Sequence, residues 1–475
     1  MSEGSKKNRS RKALGTRTPE GSYEELGLSA RAIAFRTLVD WEPHLEFVSE
    51  QLESLIAQAD ASERGLAREL TLGTIRRLAT LDALIAPHVD RPRERVERGL
   101  WTLLRIGTYQ LTFLAGMADH AAVHETVELG KRVEPRWAGF LNAILRKEAG
   151  SLTNDVLSMP TADGVPLADG RYRLLTSKLF ADPDDQPVEY FATAFSYPAW
   201  LARRWGKRFE PSELFAMGMA MNRPPRLTLR ENRMKNSRDE LLEVFKEAGI
   251  RARAGRHAEA IQLREQRSVV TIPGFAEGAW SVQDETAMAA GTLLAPTPGA
   301  RVWDVCAAPG TKTTHLAEMM NNTGRLLATD IQAARLERVA ENRERLGLSM
   351  IETRVLEGES TPEVEEMFDF ALVDAPCSNT GVLGKRAEAR WRVGRADLRE
   401  LPRIQATILE KTLARLAPGG RVVYSTCSIE PEENEQVVQQ VLRGREDARL
   451  LESHLYSPGD PSDGGFQALI ERVGN

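Results

Sequence analysis

Cysteine is scarce in this chain: Cys306, Cys377 and Cys427 are the only three in 475 residues. An odd number without CxxC spacing supports neither a disulfide framework nor a zinc site, so each must be read singly. Long apolar runs are missing as well. The longest are strand-sized, as at Arg421 to Ser425 around Val422, Val423 and Tyr424, far short of the roughly 20 residues a membrane-spanning helix needs. No membrane association is expected. The N-terminus is polar and basic with no apolar h-region, which argues against a secretory signal and for a cytoplasmic protein. A large charge excess is also lacking. The formal net charge of −5 argues against a protein that coats nucleic acid indiscriminately, because non-specific affinity comes mainly from neutralised phosphates. Any RNA contact must then use local basic patches. What is present, 42% apolar and 28% charged residues, is the composition of ordinary soluble globular protein, and the length implies about two to four domains.

Residues 1–22 carry Lys6, Lys7, Arg9, Arg11, Lys12 and Arg17 among Ser, Gly and Thr, which predicts a disordered basic tail, solvated or touching RNA phosphates. From 23 to 150 the apolar residues fall at helical spacing, for example Leu66, Leu70, Ile75 and Leu78, then Leu100, Leu103, Leu104, Ile106 and Leu111. Strand-like alternation is absent, so this region reads as an all-α bundle. Within it His120 and His124 have the spacing of a zinc pair, but the Glu of the metalloprotease motif and a third ligand are lacking, and no metal is expected. Residues 151–190 are rich in Asp, Pro and Gly and read as a linker. Residues 191–285 read as a small α+β unit, with strands at Arg226–Arg230 and Ser268–Ile272 and a helix over Ser237–Ala248. From 286 to 475 short apolar runs (Arg301–Val305, Arg325–Thr329, Phe370–Val373, Arg421–Tyr424) alternate with helical stretches. That pattern predicts a doubly wound α/β domain with a parallel sheet covered on both faces.

Ligands in such sheets bind beyond the carboxyl ends of the strands. The first strand here runs into Cys306-Ala307-Ala308-Pro309-Gly310-Thr311-Lys312, where small residues let backbone approach a ligand, and twenty residues after Gly310 the second strand ends in Asp330, placed to bind ribose hydroxyls. Dinucleotide binding would want GxGxxG, and this loop has one glycine. A phosphate-binding P-loop would want glycines where Cys306 and Thr311 stand. A single-glycine loop followed by an acidic strand end suits S-adenosylmethionine, which has no phosphate needing a backbone nest.

Three motifs, Asp304-Val-Cys-Ala-Ala-Pro-Gly-Thr-Lys-Thr-Thr314, Asp374-Ala-Pro-Cys-Ser378, and Ser425-Thr-Cys-Ser428 followed by Pro431-Glu-Glu-Asn434, in this order and spacing resemble the RNA cytosine-5 methyltransferases of the NOL/NOP/Sun family. The segments Ala121 to Leu129 and Phe140 to Arg146 are similar to the NusB-type RNA-binding domain, which precedes the catalytic domain in the bacterial RsmB/Sun/Fmu branch. The resemblance covers most of the chain from about Ser29. It implies a Rossmann-like methyltransferase fold, a small-subunit rRNA substrate, and S-adenosylmethionine contacted by residues 306–312, Asp330, a third acidic residue and Asp374. Glu359 is the candidate for the third acidic position, commonly Asp. The chain departs from the usual pattern at Thr311, where a second glycine is common, at Asn379, commonly small, and at Arg386-Ala-Glu388, which replaces an Asn/His-Pro-Asp turn. Nothing in this reading requires an oligomer.

Carbon 5 of cytosine is too weak a nucleophile to take a methyl group directly. A thiolate adding to carbon 6 makes it enamine-like, and a base must afterwards remove the carbon 5 proton so that the thiol can leave. The resemblance makes Cys427 the nucleophile and Cys377 the group that assists release, with Asp374 hydrogen-bonding the cytosine and Lys312 positioning the active-site groups. Cys306, directly after a strand, reads as a buried small residue of the cofactor loop. Two other classes stay open: a non-catalytic RNA-binding or ribosome-assembly protein, and a DNA cytosine-5 methyltransferase. The latter draws its nucleophile from the Pro-Cys motif and has no need of Cys427.

Overall fold

The computed structural model describes residues 23–42, 48–264, 267–356, 364–459 and 462–474. The basic tail expected at 1–22 and the candidate Glu359 lie outside these residues. The chain divides into two compact units, Met1–Pro211 and Ser212–Asn475.

Among the described residues the first unit opens with seven α-helices: α1 (Ala30–Val39), α2 (Val48–Gln58), α3 (Ala61–Arg76), α4 (Leu78–Ile85), α5 (Arg98–Phe113), α6 (Asp119–Val133) and α7 (Ala138–Ser151). Ser29 caps α1 by accepting from the Ala32 N–H, which satisfies one of the orphan donors of a helix start. The apolar repeat of α5 is continuous enough to bury Leu100, Leu103, Leu104, Ile106 and Leu111, and it forms the centre of the bundle. Close approach of α7 to α5 needs Gly107, where a Cβ would meet Leu145 Cδ2 at 2.7 Å. His120 and His124 are exposed on α6. Among the described residues no group of three His, Cys, Asp or Glu side chains is arranged to hold a metal ion, and no helix is long and apolar enough to cross a membrane.

The segment 151–190, expected as a linker, instead folds a three-stranded antiparallel sheet of β1 (Leu152–Leu157), β2 (Gly164–Pro166) and β3 (Tyr172–Leu175), in the order β1-β3-β2, before α8 (Pro187–Ala194) and α9 (Ala199–Trp205). These strands are too short, and β1 too exposed, to show period-2 alternation in the sequence. What holds them is tertiary: Val165 and Tyr172 are buried, and the Phe180 and Tyr190 rings pack edge to face.

The second unit begins with α10 (Pro211–Asn222) and a four-stranded antiparallel sheet in the order β5-β6-β4-β7, formed by β4 (Thr228–Glu231), β5 (Ala252–Ala254), β6 (Ala260–Leu263) and β7 (Trp280–Val282). Helix α11 (Arg238–Glu247) starts with a full capping box between Ser237 and Glu240 and lays Leu241 and Phe245 into a core with Leu229, Ile261 and Trp280. The strand expected at Ser268–Ile272 is a 3-10 turn, Val269–Thr271. Val270 is 71% exposed, and the edge position beside β4 is taken by β7.

After α12 (Glu285–Leu294) come β8 (Arg301–Asp304), α13 (Thr311–Met319), β9 (Arg325–Asp330), α14 (Ala333–Leu346), β10 (Ile351–Val355), β11 (Phe368–Asp374), α15 (Ala389–Arg392), α16 (Asp397–Ala414), β12 (Leu416–Thr426), α17 (Glu435–Leu442), β13 (Ala448–Tyr456) and β14 (Gly465–Arg472). The strands form one seven-stranded sheet in the order β10-β9-β8-β11-β12-β14-β13. Strands β8 to β12 are mutually parallel, β14 runs antiparallel to them beside β12, and the edge strand β13 pairs antiparallel with β14. Buried side chains cover both faces: Trp303, Phe368, Leu409 and Tyr424 on one, Val302, Leu316, Leu326 and Val423 on the other. Each fully buried Leu or Val contributes on the order of 1.5–3 kcal/mol against conformational entropy. Strand order reverses between β8 and β11. At such a switch point the loops leave a crevice beyond the strand ends.

Candidate active site

Four neighbouring strands deliver the sequence-predicted residues to that crevice. Cys306 follows β8, Asp330 ends β9, Asp374 ends β11, and Cys427 follows β12. The register of β11 on β12 sets Asp374 beside Ser425, so the loops carrying Cys377 and Cys427 leave the sheet at one level. A cavity of about 310 Å³ lies there, lined by Cys306, Ala308, Pro309, Asp330, Asp374, Cys377, Asn379, Arg386 and Cys427, with Ile331, Leu356, Ile404 and Ile408 as an apolar side. Ala307, Gly310, Thr311 and Lys312 are not part of its lining and act behind it.

Gly310 turns the loop into α13 at a φ of 96°, and a Cβ there would meet Val339 Cα at 3.1 Å; both the left-handed backbone and the close approach require glycine. Thr311 is already helical, and its carbonyl accepts from Arg230 Nη1 at 3.0 Å. A second glycine is therefore not needed at that position. The Ala307 N–H donates to Thr329 O at 2.8 Å, which pins the loop to β9.

Asp330 is 5% exposed. Its Oδ2 accepts from the Ala308 N–H at 3.3 Å and its Oδ1 from the Gln332 N–H at 3.0 Å. Those bonds use two of the roughly four lone-pair sites of a carboxylate. Arg335, one turn into α14, lies 3.7 Å from Asp330 Oδ2 and donates to Ala308 O at 2.8 Å. No sequence signal separated this arginine from the others of its helix. Asp304 is buried at the end of β8. Burial pushes its carboxyl up to about 7 even though Thr313 Oγ1 donates to its Oδ2 at 2.6 Å, and its Oδ1 has no hydrogen-bond partner among the described residues.

Lys312 reaches back from α13 and donates to Asp374 Oδ2 at 2.6 Å. Burial alone would lower its ammonium, but Asp374, with Cys427 and Asp304 behind it, outweighs that and holds the group charged. Cys306 stays a neutral thiol, because burial and the carboxylates around it push its ionisation far up.

The two other sulfurs face each other, Cys377 Sγ to Cys427 Sγ at 3.2 Å. The hydrogen bond to Cys427 and burial push the Cys377 thiol well up. Cys427 Sγ also lies 3.2 Å from Asn379 Oδ1, while Asn379 Nδ2 donates to Cys377 O at 2.9 Å. The chain is left-handed at Asn379 (φ 62°), a conformation Asn tolerates. The departures from the family pattern at 379 and 386 thus meet: Arg386 Nη1 donates to Asn379 Oδ1 at 3.1 Å.

Glu433, quoted in a motif but given no role by the sequence, is fully buried. It accepts from the Ser378 N–H at 2.8 Å, from the hydroxyls of both Ser378 and Ser428, and from Gln405 Nε2 at 3.2 Å. Burial raises its carboxyl and these four donors lower it, with burial the stronger. The repeated Cys-Ser pair was the only sequence signal of this bridge.

Comparison with known proteins places the chain in a family. A family model described as 16S rRNA methyltransferase RsmB/F matches residues 291–468, the NusB family model matches 28–149, and the RsmF/B-like ferredoxin-like domain matches 197–270. The probable ribosomal RNA small subunit methyltransferase B of Bacillus subtilis (strain 168) is 32% identical over 458 residues, covering 94% of this chain and 96% of that protein. Ribosomal RNA small subunit methyltransferase B of Klebsiella pneumoniae (strain 342) is 33% identical over 448 residues, covering 93% and 95%. Among solved structures, that of PH0851 has a TM-score of 0.72 at 24% identity and covers 93% of this chain and 98% of its own, a likeness of fold. With relatives above 30% identity along nearly its whole length, carrying an all-α NusB domain, a small sheet domain and a Rossmann-like sheet, this chain belongs to the RsmB/F family of 16S rRNA methyltransferases.

Proposed function

We propose that the protein methylates carbon 5 of a cytosine in small-subunit (16S) rRNA, with S-adenosylmethionine as methyl donor and a covalent bond between Cys427 and carbon 6 of the base as intermediate. The observation that carries this reading is the 3.2 Å Cys377–Cys427 pair at the wall of the cavity that also holds Asp330 and Asp374.

The residues suit the donor. Asp330 keeps lone pairs free for two ribose hydroxyls, Ile331, Leu356 and Ile408 offer a flat apolar side for a purine, and the Cβ-free Gly310 turn lets the 306–312 loop pass close. S-adenosylmethionine, when bound, supplies an electrophilic methyl group. The third acidic contact, Glu359, is part of this proposal.

The target cytosine leaves its stack to reach the cavity. Asp374, held by Lys312, hydrogen-bonds the ring. Cys427, within electrostatic reach of the Lys312 ammonium and 3.2 Å from Cys377 Sγ, adds as a thiolate through Sγ to carbon 6 and makes carbon 5 nucleophilic. Once carbon 5 is methylated its proton must go. Cys377, having by then given its own thiol proton to solvent, takes it as a thiolate, and the electron pair of the carbon 5–hydrogen bond re-forms the 5,6 double bond as the bond to Cys427 Sγ breaks and Cys427 leaves as thiolate. Cys306 takes no part. In this reading the NusB domain brings the RNA.

Bisulfite sequencing of 16S rRNA from a strain lacking this protein tests the function. One cytosine should lose its protection and regain it with the wild-type protein. An unchanged pattern at every cytosine would overturn the proposal.

A further inference from the structure

We propose that Glu433 is a positioning residue that sets the spacing of the two sulfurs by tying the Cys377 and Cys427 loops to one buried carboxylate. The inference rests on the two-cysteine reading above.

Each cysteine is followed by a serine, and both serines end on Glu433. Ser378 donates its N–H and its hydroxyl, and Ser428 donates its hydroxyl. Gln405, from α16, adds the fourth donor and also holds Pro376 O at 2.8 Å. A carboxylate offers about four lone-pair sites, so all are taken and none is left for a proton in transit. Glu433 is therefore an anchor rather than an acid or base. The anchor is itself fixed: Tyr424 OH donates to the Glu433 carbonyl, and the next residue, Asn434, accepts from Thr426 Oγ1 at 2.6 Å and donates to Ser428 O at 2.9 Å. The two serine hydroxyls are 3.2 Å apart, as far as the two sulfurs they follow. A buried charge with every lone pair engaged is costly to disturb, which makes it a stiff reference point for the two loops, which also meet directly through the Gly381 N–H on Cys427 O at 3.0 Å and Thr380 Oγ1 beside Ser428 Oγ at 3.1 Å.

The two serines give the test its resolution. Ser428→Ala slackens chiefly the Cys427 loop, so formation of the covalent RNA complex should slow by about 10–100-fold, the cost of a reacting atom misplaced by a fraction of an ångström to 1 Å. Ser378→Ala slackens chiefly the Cys377 loop, so the complex should form at the normal rate and accumulate as a slow band on a denaturing gel. Glu433→Ala should impair both steps. Glu433→Gln should rescue both to within about threefold, because an amide oxygen still accepts from the Ser378 N–H and Gln405 while both serine hydroxyls rotate to accept from the amide NH₂. S-adenosylmethionine affinity, read by calorimetry on the full-length protein, should stay within about twofold in all four variants, since Asp330 is bonded elsewhere. Equal loss of both steps in the two serine variants, or a dead Glu433→Gln variant that still binds the donor, overturns the positioning role. If Glu433→Ala does not fold, the serine variants decide alone. Methylation by Cys427→Ala would sink the two-cysteine reading instead, which separates the two failures.

Discussion

Arg230 and Glu318, both shut off from solvent, pair at 2.8 Å between the small antiparallel sheet and helix α13. The guanidinium also donates to Thr311 O at 3.0 Å and Thr314 Oγ1 at 3.3 Å, so a residue of β4 holds the first turn of the helix that carries Lys312. Removing one partner of a buried pair leaves an uncompensated charge. Arg230→Ala should destabilise by about 3–5 kcal/mol, whereas Arg230→Met with Glu318→Leu should recover most of that. Thermal unfolding reads this as a Tm drop of roughly 10 °C for the single variant. A single variant as stable as wild type would mean that water or another group compensates Glu318.

Asp304 gives a pH dependence. Its carboxyl sits at about 7 in the folded protein, through burial first, against about 3.9 in an unfolded chain. Between those values the folded state binds more protons than the unfolded one, so this group's contribution to stability is greatest below about pH 4 and is lost as pH rises toward 7, by up to about 4 kcal/mol. Asp304→Asn removes the titration. Urea unfolding at pH 4.5 and 7.5 should show the variant gaining stability relative to wild type as pH rises. Parallel curves would place the Asp304 carboxyl in the ordinary range.

How much of this could be read from the chain alone depends on how local the signal was. The placement of Asp330 and Cys427 was legible because each lies at or just beyond the end of a short apolar run, and a parallel strand announces its own carboxyl end; the role given to Cys427 came from the motif resemblance. The helical bundle was legible from the repeat that buries α5. The 152–175 sheet was not, because strands of three to six residues carry no period and are stabilised by Tyr190 and Phe180, further along the chain. Strand β13 escaped for another reason: an exposed edge strand such as Ala448–Tyr456 buries too little to pattern its residues. The Glu433 bridge joins positions 55 and 5 residues away, and only the fold brings the two serines together. At Thr311 the letter suggested a missing glycine, while the backbone there is plain helix.

Asp330 should govern the donor and not the RNA. Hydrogen bonds from the ribose hydroxyls to an ionised acceptor are worth about 1.5–3 kcal/mol, so Asp330→Ala should weaken S-adenosylmethionine binding by roughly 10–100-fold. Affinity for the rRNA fragment, measured without the donor, should change little, because the carboxylate is 5% exposed and bonded within its own loop. Calorimetry with each ligand checks this. Equal loss for both ligands would mean that Asp330 only holds the 306–312 loop together.

The two sulfurs should fail at different steps even though they touch. Cys427→Ala removes the atom that adds to carbon 6, so neither methyl transfer nor a covalent RNA complex should be detectable. Cys377→Ala leaves addition and transfer possible, because Cys427 and the Lys312 charge within its electrostatic reach are both retained, but it removes the group that takes the carbon 5 proton. A methylated RNA adduct should then accumulate and resist denaturation. Its amount should rise with time at saturating donor while product release falls by at least about 100-fold. The reverse pattern, an adduct with Cys427→Ala and none with Cys377→Ala, would move the nucleophile to the Pro-Cys loop, the arrangement of the DNA enzymes. If both variants methylate at the wild-type rate, the pair is structural. The 3.2 Å contact would then be a packing contact between two part-buried thiols.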